Sequence, residues 1–299
     1  MLKVSHVTKY YDKVKAVDDL SFEVKDGEIF GLLGVNGAGK TTTFRMITGL
    51  LDKTEGEILF NGKKIDYSVT DQIGFLTEER SLLTKLTVLE QAYLYGGLKG
   101  LTNKEINERL DKLLAKLEIP EYKNRKIKEL SKGNQQKVQL IMSIINEPKL
   151  LILDEPFSGL DPINIELFKD LIMELKNKGT SIIFSSHRMD HVEYFCDSLV
   201  ILVKGKTVLE GNLKEIKENY RKKNILVEGD INIDKIKEIP GVLKIEENKG
   251  TYTISIENKE VNTKVFKEIS KSKNITKYLL EDASLNEIFI EKVGASYEK

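Results

Sequence analysis

The chain is poor in cysteine: a single residue, Cys196, among 299. One cysteine cannot form an internal disulfide, so a disulfide framework is excluded, and the composition suits a reducing cytoplasm with Cys196 as a packing residue. Net charge is also missing, because 47 Lys and Arg balance 47 Asp and Glu. That argues against a dedicated nucleic-acid binder and against a basic protein that adheres to membranes by itself. No stretch reaches the roughly 18 apolar residues needed to cross a bilayer, so any link to a membrane is expected to come through a partner. The first seven residues alternate like a strand and lack the apolar core of a signal peptide. Low-complexity segments and internal repeats are absent.

What is present begins with residues 34–41, GVNGAGKT, which fit the phosphate-cradling pattern G-x-x-x-x-G-K-[S/T]. They follow the apolar run 28–33 and precede a helix-like stretch. Gly34, Gly37 and Gly39 permit tight turns that aim successive N–H groups inward, and the next helix adds its positive N-terminal end. ATP-binding residues are therefore expected at Gly34, Asn36, Gly37, Ala38, Gly39, Lys40, Thr41 and Thr42. Lys40 would reach the β- and γ-phosphates, and Thr41 would ligate Mg²⁺.

Strands are expected at residues 2–7, 20–24 and 56–62, with a helix over 40–51. A helical block follows, over 87–99 and 103–117, each helix opened by a capping pattern (Thr87 with Glu90, Thr102 with Glu105). After Ser131 another helix runs to Asn146. Residues 150–153 and 180–186 read as buried strands flanking a helix at 162–178. Strands alternating with helices imply a mostly parallel sheet, the α/β class. Beyond a charged connector the pattern restarts as β-α-β-β-α-β over residues 224–280, a split ferredoxin-like order, with a last helix at 284–293. The expected domains are 1–215, with a helical subdomain at about 84–148, and a small α+β domain at 216–299. From Ile216 onward there are 16 Lys and Arg against 15 Asp and Glu, so this second part has no bias toward nucleic acid.

The apolar run 150–153 leads into Asp154 and Glu155. At the carboxyl end of a strand, Asp154 can hold Mg²⁺ through its water shell, and Glu155 can polarise the water that attacks the γ-phosphate. Three further segments carry a resemblance. Leu130-Ser131-Lys132-Gly133-Asn134-Gln135-Gln136 resembles the LSGGQ signature of ATP-binding cassette (ABC) ATPases, with Lys132 and Asn134 replacing two usual residues. Ser158-Gly159-Leu160-Asp161 is similar to their D-loop, and His187 stands where their switch histidine does. The resemblance covers residues 1 to about 215.

By position, the resemblance implies that Tyr11 stacks on adenine and that His187 hydrogen-bonds the γ-phosphate. It also implies that Ser131, Gly133 and Asn134 meet ATP held by a second subunit, so a dimer, with a homodimer as the simplest form. Glu78 occupies the family's usual glutamine position. A carboxylate keeps an oxygen for Mg²⁺ and adds charge near the phosphates, making Thr41, Glu78 and Asp154 the expected metal ligands. Residues 77–83, 132–137, 185–189 and 283–290 are similar to the bacterial branch serving ABC-2 type exporters of drugs, lipids and sodium. That implies a P-loop ATPase on the inner face of the cell membrane, coupled to a separate polytopic membrane subunit, with sodium as the most specific substrate. A soluble ABC ATPase of translation or DNA repair is the alternative. Such proteins carry two cassettes or a long coiled-coil insertion, and this chain has neither.

Overall fold

The runs with no polar alternation, Ile29–Gly34, Leu150–Asp154 and Ser181–Ser185, form strands buried along their whole length. They lie inside a six-stranded sheet ordered Lys206–Asn212, Ser198–Val203, Ile29–Gly34, Ser181–Ser185, Leu150–Asp154, Ile73–Leu76. Every pairing from Ser198–Val203 to Ile73–Leu76 is parallel, so all five carboxyl ends open on the same side. A parallel sheet needs long crossovers, and these supply the helices that cover it. The phosphate loop and the paired acids thus leave the same edge of the sheet from strands separated only by Ser181–Ser185.

The computed structural model describes residues 1–272 and 274–297, in two compact units that meet between Glu210 and Gly211. In the first unit an antiparallel sheet, ordered Val14–Val24, Leu2–Tyr11, Glu55–Phe60, Lys63–Lys64, shares one core with the parallel sheet. Phe22 of one sheet stacks on Phe30 of the other at 4.9 Å between centroids. Phe44 of helix Lys40–Ile47 sits fully buried in that core. Truncating it to alanine would cost about 3–5 kcal/mol, the usual loss for a buried phenylalanine.

The helical block comprises Val88–Leu98, Asn103–Lys116 and Lys132–Ile144. Both capping boxes expected from the sequence are formed, Thr87 with Glu90 and Thr102 with Glu105. Gly96 lets the first two helices approach closely, since a Cβ there would lie 2.7 Å from Ile106 Cγ1.

The second unit carries an antiparallel sheet ordered Val242–Asn248, Thr251–Ile256, Lys223–Gly229, Ile275–Asp282. Helices Ile233–Lys237 and Val261–Ile269 interleave in sequence, giving the β-α-β-β-α-β order. Alternate residues Ile225 and Val227 turn inward and share a core with Ile236, Ile254, Val261 and Val265. This is the ferredoxin-like α+β arrangement, and helix Leu285–Tyr297 follows it.

Candidate active site

The phosphate loop leaves the buried strand Ile29–Gly34 and turns into helix Lys40–Ile47, whose N-cap is Gly39. Two of its glycines are required by the neighbours they face. A Cβ on Gly34 would lie 2.6 Å from Leu202 O, and one on Gly39 the same distance from Ala16 O. Gly39 also has φ 105°, which side-chain-bearing residues rarely adopt. Lys40 Nζ donates to Gly34 O at 2.8 Å, so the loop folds back around its own ammonium group. The first turn of the helix has no acidic residue, which leaves its N–H end free for an anion.

A cavity of about 420 Å³ lies over this loop. Its walls hold residues 36–42 together with Ala16, Glu78, Asp154, Glu155 and His187. Asp154 is buried, and burial pushes its carboxyl up to about 6, with the negative charge of Glu78 adding to the effect. Burial likewise pushes Glu155 up to about 7, with Asp154 and Glu78 raising it further and Lys40 opposing. Lys40 is shifted down by burial against the pull of all three acids. Glu155 has φ 49°, a strained backbone costing on the order of 1–3 kcal/mol and typical of functional sites. Its N–H is held by Ser185 O at 3.1 Å. Glu155 Oε1 is buried without a hydrogen-bond partner, 3.6 Å from His187 Nε2.

These features suit a magnesium nucleotide. The glycine cradle supplies close backbone approach, and the orphaned Glu155 oxygen can accept a proton from a water molecule beside it. Glu78 and Asp154 place carboxylate oxygens in the wall of the cavity beside the loop, a donor set that Mg²⁺ can use, since it takes one or two carboxylates and completes its shell with waters and phosphate oxygens.

The remaining expected site residues lie outside this cavity. Tyr11 ends strand Leu2–Tyr11 as an exposed residue, its ring beneath Lys9 Nζ at 5.5 Å. Ser131 is the N-cap of helix Lys132–Ile144, accepting from Asn134 N at 3.2 Å. Gly133 faces Leu160 and Gly159 of the same chain. Asp161 caps helix Pro162–Asn177 by accepting from Asn164 N at 2.9 Å, a bond that holds its carboxyl below the usual range. Two side chains of the signature helix make contacts that the sequence pattern does not specify. Gln136 Nε2 donates to Pro156 O at 3.1 Å, and Gln139 Nε2 donates to Thr77 O at 2.9 Å. The signature helix is thereby pinned beside both Glu155 and Glu78.

A phosphate cradle facing paired acids and a histidine at the carboxyl edge of a parallel sheet defines a nucleotide-hydrolysing P-loop protein. Residues 17–158 match the family model of the ABC transporter, and residues 211–293 match that of the C-terminal domain of DrrA1-3-like ATP-binding proteins. The chain is 47% identical over 298 residues, covering 100% of both, to the uncharacterized ABC transporter ATP-binding protein YhaQ of Bacillus subtilis. It is 36% identical over 224 residues to the ABC transporter ATP-binding protein NatA of the same organism, covering 73% of this chain and 91% of that one. Among solved structures, an ATP-binding subunit of an ABC transporter superposes with a TM-score of 0.70 at 34% identity, covering 74% of this chain and 93% of that one. A dimeric cassette bound to ADP and Pi gives 0.66 at 26% identity, covering 71% and 99%. The chain belongs to the ABC transporter family as an ATP-binding subunit, and it is an ATPase.

Proposed function

We propose that this subunit drives an ABC-2 type exporter, closing with a second copy of itself around ATP and passing that motion to a separate polytopic membrane protein. The observation that carries this reading is a set of exposed leucines on helix Val88–Leu98 and in the loop before it. Leu83, Leu94 and Leu98 are exposed at 46%, 41% and 75%. Beside them lies a cleft of about 200 Å³ lined by Ile73, Phe75, Leu82, Tyr95 and Met142, with Gln139 in its wall. In this reading the partner's contact falls on these leucines and the cleft, and a segment seated there would bear on the helix that starts at Ser131. No helix among the described residues is long and apolar enough to cross a membrane; in this reading the translocation path lies in the partner, which holds this subunit at the inner membrane face.

In this reading Lys40 and the N–H groups of the loop bind the phosphates. Thr41, Glu78 and Asp154 hold Mg²⁺, which supplies charge neutralisation when bound. Glu155 accepts the proton of the attacking water, and His187 donates to the γ-phosphate. Tyr11 meets the adenine, while Ser131, Gly133, Asn134 and Asp161 serve the site of the partner copy. Residues 216–299 form an accessory domain.

Sodium is the substrate the branch resemblance carries. A lipid is the second reading, supported by alignment of 99% of this chain, at 31% identity, with 18% of the human phospholipid-transporting ATPase ABCA3. A native pull-down followed by flux measurements in vesicles tests both. Recovery of a polytopic membrane protein and ATP-dependent sodium movement are expected, whereas recovery of ribosomes or DNA would replace the transport reading.

A further inference from the structure

A second cavity, of about 470 Å³, opens in the first unit between helix Asn103–Lys116, the end of Lys132–Ile144 and the last turns of Pro162–Asn177. Its volume is in the range of small-molecule sites. The apolar part of its lining comes from Leu113, Ile144, Ile145, Pro148, Leu171 and Leu175. The charged part is one-sided: Arg109, Lys112, Lys116, Lys149 and Lys178 face only Glu147 and Glu174, a surplus of three positive charges on a chain whose net charge is zero.

Both carboxylates are already engaged. Glu174 pairs with Lys116 and with Lys178, the latter at 2.6 Å. Glu147 pairs with Arg109 at 3.2 Å, and Arg109 is further fixed by donating to Ile145 O at 2.9 Å. Among the described residues Lys112 and Lys149 have no ion-pair partner. Ile144, Ile145 and Leu171 belong to the buried core, while Leu113 and Leu175 are only half-buried at the cavity wall, and a bare inorganic anion would use only the charged rim. An occupant that uses both has an anionic head and an apolar body.

We propose that this cavity binds a carboxylate-headed amphiphile of the fatty-acid class, its head at Lys112 and Lys149 and its chain along Leu113, Ile144 and Leu175. Two of the walls begin at residues of the signature and D-loop. Lys132–Ile144 is capped by Ser131 and Pro162–Asn177 by Asp161, so the ligand would occupy the far ends of both helices.

The test uses the full chain saturated with ADP, which keeps the phosphate loop from capturing the probe. Decanoate, kept below its micelle-forming concentration, is titrated by calorimetry. Saturable one-site binding is expected, with decanol weaker by about tenfold or more through loss of the charged contact, and with no saturable binding of inorganic phosphate. The double variant Lys112→Glu/Lys149→Glu changes two exposed side chains and should weaken decanoate by a similar factor. Leu175→Trp fills the cavity and should abolish binding, with circular dichroism confirming the fold of both variants. Absence of saturation, equal binding of decanol, or unchanged affinity in the charge-reversed variant would each overturn the proposal.

Discussion

Glu155→Gln separates two consequences of burying a carboxylate beside the phosphate loop. Burial holds this group up at about 7, against an ordinary 4.5. The native chain therefore binds the proton more tightly than the unfolded chain does. Stability is fully present below the unfolded value, falls as pH rises through the interval from 4.5 to about 7, and levels off above it. At 1.36 kcal/mol per unit the single-site figure is about 3 kcal/mol. Asp154 is held up to about 6 in the same cavity, and the two share part of the effect, so about 1–3 kcal/mol is the working range. Glutamine keeps the shape without the charge. The nucleotide-free variant should therefore be more stable than its parent by that amount at about pH 8, roughly 3–10 °C in Tm for a unit of this size, and nearly equal to it at about pH 4. Thermal denaturation followed by circular dichroism at both pH values measures this. Hydrolysis should meanwhile slow by about 10² or more, the loss expected on removing a general base. A variant no more stable than its parent at high pH would refute the burial argument, and near-normal turnover would move the base elsewhere.

Lys40→Ala should lose most ATP affinity, about 1.5–3 kcal/mol by calorimetry, because the phosphates lose a charge-assisted contact; unchanged affinity would remove the phosphate-loop assignment. Glu78→Gln should leave hydrolysis largely intact while changing its Mg²⁺ dependence, and superimposable metal titrations would sink that expectation. A double variant, Ser131→Ala with Glu155→Gln, mixed with wild type should give heterodimers with far less than half the wild-type ATPase activity, since each composite site then carries one lesion. A purified heterodimer retaining about half would show that Ser131 acts within its own chain. Truncation after Glu210, where the two units meet, should leave a cassette that still binds ATP; aggregation of that fragment would show a shared core.

The membership of the candidate site was legible in the sequence because phosphate binding and hydrolysis demand particular residue types at fixed spacing, and the cavity does gather residues 36–42, Asp154, Glu155, Glu78 and His187. The capping boxes were legible for the same local reason. Strand Leu2–Tyr11 runs past its expected end at Val7, because register shifts after Val4 and Val7 break the alternation that marks a strand. Strand Ser198–Val203, beside Ile29–Gly34 in the sheet, was missed: a short, continuously apolar run carries no period that distinguishes strand from buried helix. The partners of Gln136 and Gln139 were not legible for another reason. Their acceptors lie 20 and 62 residues away, so no local pattern names what these glutamines bond to. The left-handed backbone of Glu155 is equally a product of its tertiary setting.

Those two glutamines explain how a helix remote in sequence from both acids stays in register with them. Each is almost fully buried, so a displacement of helix Lys132–Ile144 that broke either bond would strand a buried amide, at about 1–3 kcal/mol apiece. Moving the helix together with its acceptors avoids that cost. Pro156 is joined to Glu155 through the backbone, and Thr77 is joined to Glu78 in the same way, so the segments bearing the base and the acidic cavity wall follow the helix. Its N-terminus is Ser131, and its flank at Gln139, Met142 and Ser143 lines the apolar cleft. One helix thus starts at the signature, bonds to the residues next to Glu155 and Glu78, and lines the cleft. In the proposed reading, a shift of this helix between two positions would carry the segments bearing both acids with it, which is how hydrolysis would be coupled to a partner.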